Sequence, residues 1–382
     1  MTGGHRLGLL AGDGIGPEIV PAAVQCVDAA ARAVGLPSIE WVELPLGRTA
    51  IDTHGAAVPA ETLAALDGLE AWLLGPHDSV SYPEPHRSQL NPSGTIRKHA
   101  GLFANIRPAK SFAGSRAVVP GTDLVIVREN TEGFYADRNT YAGTGEFMPT
   151  PDVAIAHGII TRAATEKIAE AAFELAMQRR KHVTIVHKAN VLMLTTGLFR
   201  DVCREVAARY PEVTVDDFHI DAMTVHLVRR ANEFDVIVTE NMFGDILSDL
   251  SGELAGSLGI APSVNSSLTQ AMAQAAHGSA PDIAGRDIAN PIAMILSSAM
   301  LLEWLGARHD DERLIRAAAL IRAGVDRTVA SGTATGDLGG TASTSAFAAA
   351  VASAIDSAGL DHASASTQDP SPQGASTTGA QE

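Results

Sequence analysis

Short β-rich runs alternate with alanine-rich helical patterns along most of this chain, and this alternation restricts the folds that it can adopt. The strand candidates are HRLGLLAG, DLVIVREN, HVTIVHKA, VTVDDFHID and FDVIVTEN. The helical patterns lie at about 17–33, 161–180, 197–209 and 221–231. Successive strand and helix units favour largely parallel pairing, so the sequence predicts an α/β fold with binding residues near the strand ends.

Length and charge limit the organisation and the partners. The chain has 382 residues, which is long enough for two domains. Its 28 basic and 44 acidic residues give a net charge of −16, which argues against a nucleic acid or an anionic membrane as the main partner. A small anionic ligand would therefore need a local group of arginines.

Cysteine usage and the terminal segments indicate a reducing cytoplasm. Cys26 and Cys203 are far apart in the sequence and form no C-x-x-C motif, so neither a disulfide framework nor a cysteine zinc site is predicted. The apolar stretch at the N-terminus is too short for a secretory signal, and the most apolar helix pattern, at 291–306, contains serines and Glu303. Residues 357–382 are almost all small, polar or proline and are predicted to be a disordered tail.

Two aspartates stand four residues apart in TENMFGDILSDL, at Asp245 and Asp249. Residues at that spacing share one face of a helix, and two close carboxylates repel each other unless a positive group lies between them. Magnesium or manganese, which prefer hard oxygen ligands, would satisfy the pair. The alternative is that Asp245 caps or charges the first helical turn while Asp249 is solvated.

Three further candidates stand at the edges of regular elements. Lys188 follows the strand HVTIVH, Asp221 stands between a strand and a helix, and Tyr135 follows VIVRENTEGF. Strand ends carry functional residues in such folds. Each residue also has a structural alternative, respectively an exposed lysine, a helix N-cap and a half-buried packing residue.

The arginines Arg97, Arg107 and Arg128 could converge on a substrate with more than one carboxylate. Three unrelated surface salt bridges are the alternative. The glycines of AGDGIGPE do not complete the dinucleotide fingerprint G-x-G-x-x-G, because Pro17 stands at the last glycine position. The segment HGSAPDIAGRDIANP is a better nucleotide candidate. Gly278 and Ser279 there allow close backbone approach, and the Asp282 carboxylate could accept from a ribose 2′-hydroxyl, although a plain turn is equally consistent.

Eight motifs in order resemble those of the metal-dependent β-decarboxylating dehydrogenases, the family of the isocitrate, homoisocitrate, 3-isopropylmalate and tartrate/D-malate dehydrogenases. The motifs, from about residue 8 to 350, are GDGIGPE, RKHAGLFANIRP, VRENTEGFY, HKANV, IDAM, NMFGDILSD, HGSAPDIAG and DLGGTAST. The resemblance implies a two-domain α/β fold without a Rossmann motif. Its domains are expected at about 1–100 plus 256–356, which binds the nucleotide, and at 101–255, which binds substrate and metal.

The resemblance also implies a homodimer with shared active sites. An arm at about 136–152 is expected to clasp the partner, while Lys188 and Asp221 reach into the neighbouring cleft. Asp245 and Asp249 of the first subunit, with Asp221, are expected to hold Mg²⁺ or Mn²⁺. Lys188 with Asp221 is the implied base, and Tyr135 the implied acid that protonates the enol carbon. Replacing Asp245 by asparagine is then expected to weaken metal binding and leave stability little changed.

The resemblance implies that Arg97, Arg107 and Arg128 hold the malate carboxylates. The expected cofactor is NAD, because Asp282 and Ile283 stand where relatives that use NADP are expected to carry lysine and tyrosine. The implied cofactor-binding residues are His277, Gly278, Ser279, Ala280, Asp282, Asn290 near the adenine, and Asn190 on the nicotinamide side.

The pocket for the substituent on C3 of the substrate is expected in SQLNPSGTIRK. Ser93 and Gly94 replace the leucine pair expected of a 3-isopropylmalate enzyme, and Asn91 with Ser93 resembles, in reversed order, a carboxylate-binding pair of isocitrate enzymes. A polar or anionic substituent is therefore predicted, with homoisocitrate ahead of isocitrate; a phosphonate analogue, D-malate and tartrate stay open. The alternative is that Asn91 and Ser93 only shape a turn around Pro92 and face solvent. A 3-isopropylmalate dehydrogenase and a tartrate/D-malate dehydrogenase are the alternative enzymes, and a non-catalytic regulatory subunit is the alternative of another class.

Overall fold

The computed structural model describes residues 4–112, 117–135, 140, 142–143 and 145–366. The strands are β1 (Arg6–Leu10), β2 (Glu40–Glu43), β3 (Ala71–Leu74), β4 (Ala104–Lys110), β5 (Asp123–Glu129), β6 (Glu146–Thr150), β7 (Val153–Ala156), β8 (His182–His187), β9 (Thr214–His219), β10 (Val236–Thr239), β11 (Val264–Ser266) and β12 (Ala271–Gln274). The helices are α1 (Gly16–Ala33), α2 (Gly47–His54), α3 (Ala60–Asp67), α4 (Pro92–His99), α5 (Arg162–Met177), α6 (Thr195–Ala207), α7 (Ile220–Arg230), α8 (Asn241–Ala255), α9 (Ile292–His309), α10 (Glu312–Ala330) and α11 (Thr344–Ser366).

Ten of these strands form one sheet, in the order β2, β1, β3, β12, β11, β4, β5, β10, β8, β9. The pairs on both flanks are parallel, whereas β12 with β11, β11 with β4, and β4 with β5 are antiparallel. Strands β11 and β12 lie between β4 and β3 and so join the two flanks of the sheet. The predicted α/β class with largely parallel pairing is confirmed, as are the predicted strands and helices.

Four hydrophobic clusters pack against the sheet. The buried members of two clusters come from residues 7–102 and 260–355, and those of the other two from residues 104–255. The largest of the clusters built from residues 7–102 and 260–355 includes α1 and α9, whose apolar side chains pack on the half of the sheet that contains β1. Each half of the sheet therefore has its own core.

Helix α8 carries both aspartates of the NMFGDILSD motif, and its start is fixed locally. The carboxylate of Glu240 caps it by accepting from the backbone N–H groups of Met242 and Phe243, each at 3.0 Å. Burial raises the pKa of Glu240 to about 7, with these backbone bonds acting in the opposite direction. Asp245 therefore lies beyond the first turn, and the alternative of Asp245 as a cap is wrong.

The C-terminal segment and the predicted arm are each described in part. The predicted disordered tail is wrong for residues 357–366, because α11 continues to Ser366; alanine and leucine in DSAGLDHASAS favour helix enough to extend it. Residues 367–382 lie outside the described part of the chain. The predicted arm is described at residues 140, 142–143 and 145–152; it enters the exposed antiparallel pair β6 and β7. Among the described residues, no helix is long and apolar enough to cross a bilayer.

Candidate active site

Two buried arginines meet the aspartates of α8. Arg107 Nη1 lies 3.1 Å from Asp245 Oδ1 and 3.6 Å from Asp249 Oδ1. Arg128 Nη1 also donates to Asp245 Oδ1, and Tyr135 Oη donates to Asp245 Oδ2 at 2.6 Å. The structure thus brings four predicted site residues, and Asp249 beside them, into one cluster.

The sheet and α8 together position this cluster. Arg107 and Arg128 lie on the antiparallel neighbours β4 and β5, where Asn105 pairs with Arg128 and Arg107 with Ile126. Helix α8 crosses over these strands. Gly244 permits the close approach, since a Cβ there would lie 2.6 Å from Cγ of Arg128. A larger residue at position 244 would push the helix away from the arginine.

The charges in the cluster shift both carboxyl groups, in opposite directions. Burial acts to raise the pKa of Asp245, but Arg128 and Arg107 outweigh it and hold that pKa below its ordinary value. Burial raises the pKa of Asp249, and the charge of Asp245 adds to this effect while Arg107 opposes it. A divalent cation would neutralise both carboxylates, so this all-oxygen pair fits a hard cation.

Three polar residues of the cluster were missed by the sequence reasoning. Asn241 Oδ1 accepts from Arg128 Nε at 3.0 Å and Nη2 at 2.7 Å, Ser248 Oγ accepts from Arg107 Nη1 at 2.7 Å, and Asn105 Oδ1 accepts from Arg107 Nε at 3.2 Å. These bonds hold the two guanidinium planes in place. Asn241 and Ser248 lie inside the NMFGDILSD motif, so that motif was the available signal.

Lys188 and Asp221 form a separate pair. Lys188 follows β8, and its Nζ lies 2.5 Å from Asp221 Oδ1 in the first turn of α7, whose cap position is held by His219. The hydrogen bond from Lys188 lowers the pKa of Asp221 below its ordinary value. The described residues contain no group of three or more His, Cys, Asp or Glu side chains arranged to hold a metal. One subunit therefore does not bring Asp221 together with Asp245 and Asp249.

The third predicted arginine lies on α4. Arg97 Nη2 donates to Gln274 Oε1 at 3.0 Å, and its charge contributes to lowering the pKa of Asp245. On the same helix, Asn91 is the N-cap and accepts from Gly94 N at 2.8 Å. Ser93 is buried and donates to Asn91 Oδ1 at 3.1 Å, so the alternative in which Ser93 faces solvent is wrong, whereas the local turn role of Asn91 is observed.

A cavity of about 660 Å³ lies between the nucleotide candidate loop and the DLGGTAST motif. It is lined by His277, Gly278, Ala280 and Asn290 of the predicted set, with Ile15, Leu258, Ile283, Ile288 and Gly336, and with Asp337, Gly340 and Thr341 of the later motif. Ser279 lies behind this surface, where its carbonyl accepts from Ile15 N at 2.9 Å. The cavity joins three motifs that are distant in sequence.

His277 supplies an unused acceptor in this cavity. Its Nδ1 lies 3.0 Å from the Gly278 carbonyl, which requires the hydrogen on Nδ1 and leaves a lone pair on Nε2. Within the described part of the chain, Nε2 is buried and has no hydrogen-bond partner. Burial also lowers the pKa of His277, which favours the neutral ring. A nucleotide that donates a hydrogen bond here would satisfy Nε2.

The remaining cofactor candidates have different surroundings. The Asn290 amide donates to Asp337 Oδ2 at 2.9 Å and accepts from Ile292 N at 2.9 Å, so its nitrogen and its oxygen each already have a hydrogen-bond partner. Asp337 also accepts from Ser257 Oγ at 2.8 Å, a contact that the motifs did not predict. Asp282 and Asn190 are exposed and do not line the cavity. Their contacts with a cofactor stay predictions.

Known proteins match this chain over most of its length. The family description "Isocitrate/isopropylmalate dehydrogenase" matches residues 6–351. The chain is 44% identical over 356 residues to the isocitrate/homoisocitrate dehydrogenase of Thermus thermophilus, covering 92% of this chain and 99% of that protein. It is 42% identical over 352 residues to a 3-isopropylmalate dehydrogenase of Archaeoglobus fulgidus, again covering 92% and 99%.

A solved structure gives the same result. The crystal structure of isocitrate dehydrogenase from Methylococcus capsulatus superimposes with a TM-score of 0.82 at 37% identity, covering 92% of this chain and 99% of that one. These matches confirm the resemblance that the ordered motifs indicated. The chain therefore belongs to the isocitrate/isopropylmalate dehydrogenase family, whose named relatives are dehydrogenases.

Proposed function

We propose that this protein is a cytoplasmic enzyme that catalyses the NAD-dependent oxidative decarboxylation of a 3-substituted D-malate. The observation that carries the proposal is the cluster in which Arg107, Arg128 and Tyr135 converge on Asp245. In a chain with a net charge of −16, two buried guanidinium groups beside a further arginine form a local site for a dicarboxylate.

Substrate carboxylates would exchange with Asp245 as partners of the arginines. Arg107 and Arg128 are almost fully buried, so each needs an anionic partner at all times. When the substrate carboxylates take this role, the Asp245 carboxylate becomes available to a cation. Asp245, Asp249 and the partner subunit's copy of Asp221 would hold Mg²⁺ or Mn²⁺, which when bound supplies Lewis-acid stabilisation of the oxygen on C2.

The chain's own residues would handle the protons. Lys188, paired with Asp221, takes the proton of the substrate hydroxyl as hydride leaves C2, for which NAD serves as the acceptor. The C3 carboxylate then departs as carbon dioxide, and its bonding electrons form the enolate. Tyr135, held 2.6 Å from Asp245, donates its proton to C3 of the enolate. Arg107 and Arg128 hold the carboxylate that is lost.

We also propose a homodimer with shared sites, and the separation of Lys188 and Asp221 from Asp245 and Asp249 within one subunit supports it. Exposed apolar side chains on and near α6, α7 and α8 offer a surface for a second copy, among them Met193, Leu194, Val225, Val228 and Ile246. Strands β6 and β7 also expose Phe147, Met148 and Val153, as expected of an arm that packs on a partner. We also propose two domains, at 1–100 plus 256–356 and at 101–255, since the core clusters divide in the same way.

The substituent on C3 is proposed to be polar or anionic, with homoisocitrate first and isocitrate second. The Asn91 amide supports this, because its oxygen accepts from Gly94 N and Ser93 Oγ, and an isopropyl group against its two N–H groups would leave those donors without partners. The decisive experiment compares kcat/KM for homoisocitrate, isocitrate, 3-isopropylmalate, D-malate and tartrate, with Mn²⁺ and with NAD or NADP. A clear preference for 3-isopropylmalate would overturn the substrate proposal, and no turnover of any of them would favour a regulatory subunit.

A further inference from the structure

The strand that leads to Lys188 ends on a buried histidine. His187 is the last residue of β8, and its side chain is only 2% exposed. It pairs with His219, the last residue of the parallel strand β9, and the two ring centroids are 5.3 Å apart. His187 therefore stands between the strand that leads to Lys188 and the strand that leads to Asp221.

The hydrogen bonds of His187 assign the proton of its ring. Ala189 N can only donate, so His187 Nδ1, at 3.1 Å, accepts from it and carries a lone pair. The ring hydrogen is then on Nε2, which donates to Asp217 Oδ1 at 2.9 Å. Arg204 Nη2 donates to the other oxygen of this carboxylate at 2.5 Å. Burial lowers the pKa of His187, which also favours the neutral ring.

The bond from Ala189 fixes the peptide that follows Lys188. Lys188 N donates to Thr196 Oγ1 at 3.1 Å. The Lys188 carbonyl accepts from Leu192 N at 2.9 Å. Because His187 Nδ1 accepts from Ala189 N, both polar groups of the peptide between Lys188 and Ala189 are bound. The backbone of the lysine is therefore held at the position from which its ammonium group is presented.

A second His–Asp pair lies at the other end of the same two strands. His182 begins β8, and its Nε2 lies 3.2 Å from Asp216 Oδ2 on β9. It is about 16 Å from His187 along the strand. His182 joins the same strands without lying beside the lysine, so it is a matched control for a purely structural role of His187.

We infer that His187 is a positioning residue for the base Lys188: its Nδ1 holds the amide that follows the lysine, and its Nε2–H anchors the ring to Asp217. This inference rests on the proposed function and extends it. His187 acts through Lys188 and does not itself take the substrate proton. The catalytic effect therefore depends on the Nδ1 bond, whereas stability depends on both bonds.

The test separates the two ring nitrogens in the full chain. In His187→Asn the amide oxygen takes the place of Nδ1, whereas in His187→Gln the amide nitrogen takes the place of Nε2. Each variant loses the ring and one of its bonds, so both should lower the urea midpoint by similar amounts.

The two variants should differ in kcat for the malate that the wild type turns over best. In His187→Gln we expect kcat to fall at least about tenfold, because a displaced base is poorly aligned with the hydroxyl. In His187→Asn, which keeps the Nδ1 acceptor, we expect a fall of less than about threefold. The control His182→Gln should lower the urea midpoint and leave kcat within about twofold of wild type. Equal losses of kcat in His187→Asn and His187→Gln, or a larger loss in His187→Asn, would overturn the inference.

The position of Lys188 can also be followed without turnover. Competitive acetylation by a trace of acetic anhydride, measured by peptide mass spectrometry, compares Lys188 with the exposed Lys167 in each protein. Lys188 should react about threefold faster in His187→Gln than in wild type, because its ion pair with Asp221 is weakened, and at the wild-type rate in His187→Asn.

These two measurements separate the inference from the proposed function. If no malate is turned over but the acetylation difference is found, the proposed function fails and the positioning by His187 stands. If malates are turned over and the two variants have equal kcat, the positioning fails alone. If no malate is turned over and the variants are acetylated alike, both fail.

Discussion

Replacing Asp245 by asparagine tests the central cluster, and the structure changes what is expected of it. From the sequence alone, stability should change little. In the structure, the carboxylate is the charged partner of Arg107 and Arg128, whose side chains are only 7% and 3% exposed. Asparagine keeps the shape and one acceptor but removes the negative charge between two buried cations.

The size of the effect follows from these contacts. Leaving a buried ion pair without one partner costs about 3–5 kcal/mol, and the 34% exposure of Asp245 reduces this. Asn241 and Ser248 continue to accept from the arginines, which reduces it further. We therefore expect the variant to lose about 2–3 kcal/mol of unfolding free energy.

Urea unfolding at pH 7.5 without substrate or metal, at fixed protein concentration, measures this loss. Asp249→Asn is the matched control: its side chain is 55% exposed and lies 3.6 Å from Arg107, so it should cost less than about 1 kcal/mol. Added malonate should stabilise Asp245→Asn more than the wild type, because it returns carboxylates to the arginines. The reasoning is refuted if the two variants are equally stable, or if malonate stabilises Asp245→Asn no more than the wild type.

Three further predictions concern the cofactor, pH and the shared site. Wild type should prefer NAD over NADP by at least about tenfold, or about 1.4 kcal/mol, and Asp282→Lys should erode this preference; similar kcat/KM values for both cofactors in the wild type would contradict it. Burial and the charge of Arg97 lower the pKa of His77 to about 4, so the folded state favours the neutral ring and stability should fall as the pH drops from about 6.5 to 4. In His77→Gln this fall should be smaller by about 2 kcal/mol, measured by urea unfolding at several pH values, and an unchanged slope would show that His77 does not contribute. Lys188→Met and Asp245→Asn should each be inactive alone, yet reassembled mixtures should recover about a quarter of wild-type activity, since half of the dimers have one complete site; no recovery would exclude shared sites.

The sequence by itself determined the elements and the family. Strands β1, β5, β8, β9 and β10 and helices α1, α5, α6 and α7 were predicted because apolar periodicity and backbone hydrogen bonding act over short stretches of chain. Ordered motifs such as NMFGDILSD indicated the family because each keeps its functional residues close together in sequence. The tail was the exception, since its low hydrophobicity obscured the local preference that extends α11 to Ser366.

Only the tertiary structure decided which distant residues meet. Arg107 and Asp245 are 138 positions apart, and their contact depends on β4 and β5 pairing under α8. His77 was missed for the same reason: it lies in no recognisable motif, and its contact with Ser93 arises only when the loop before α4 packs beside that helix. Local patterns specify elements, whereas the partner of a buried charge is specified by the packing that removes water from around it.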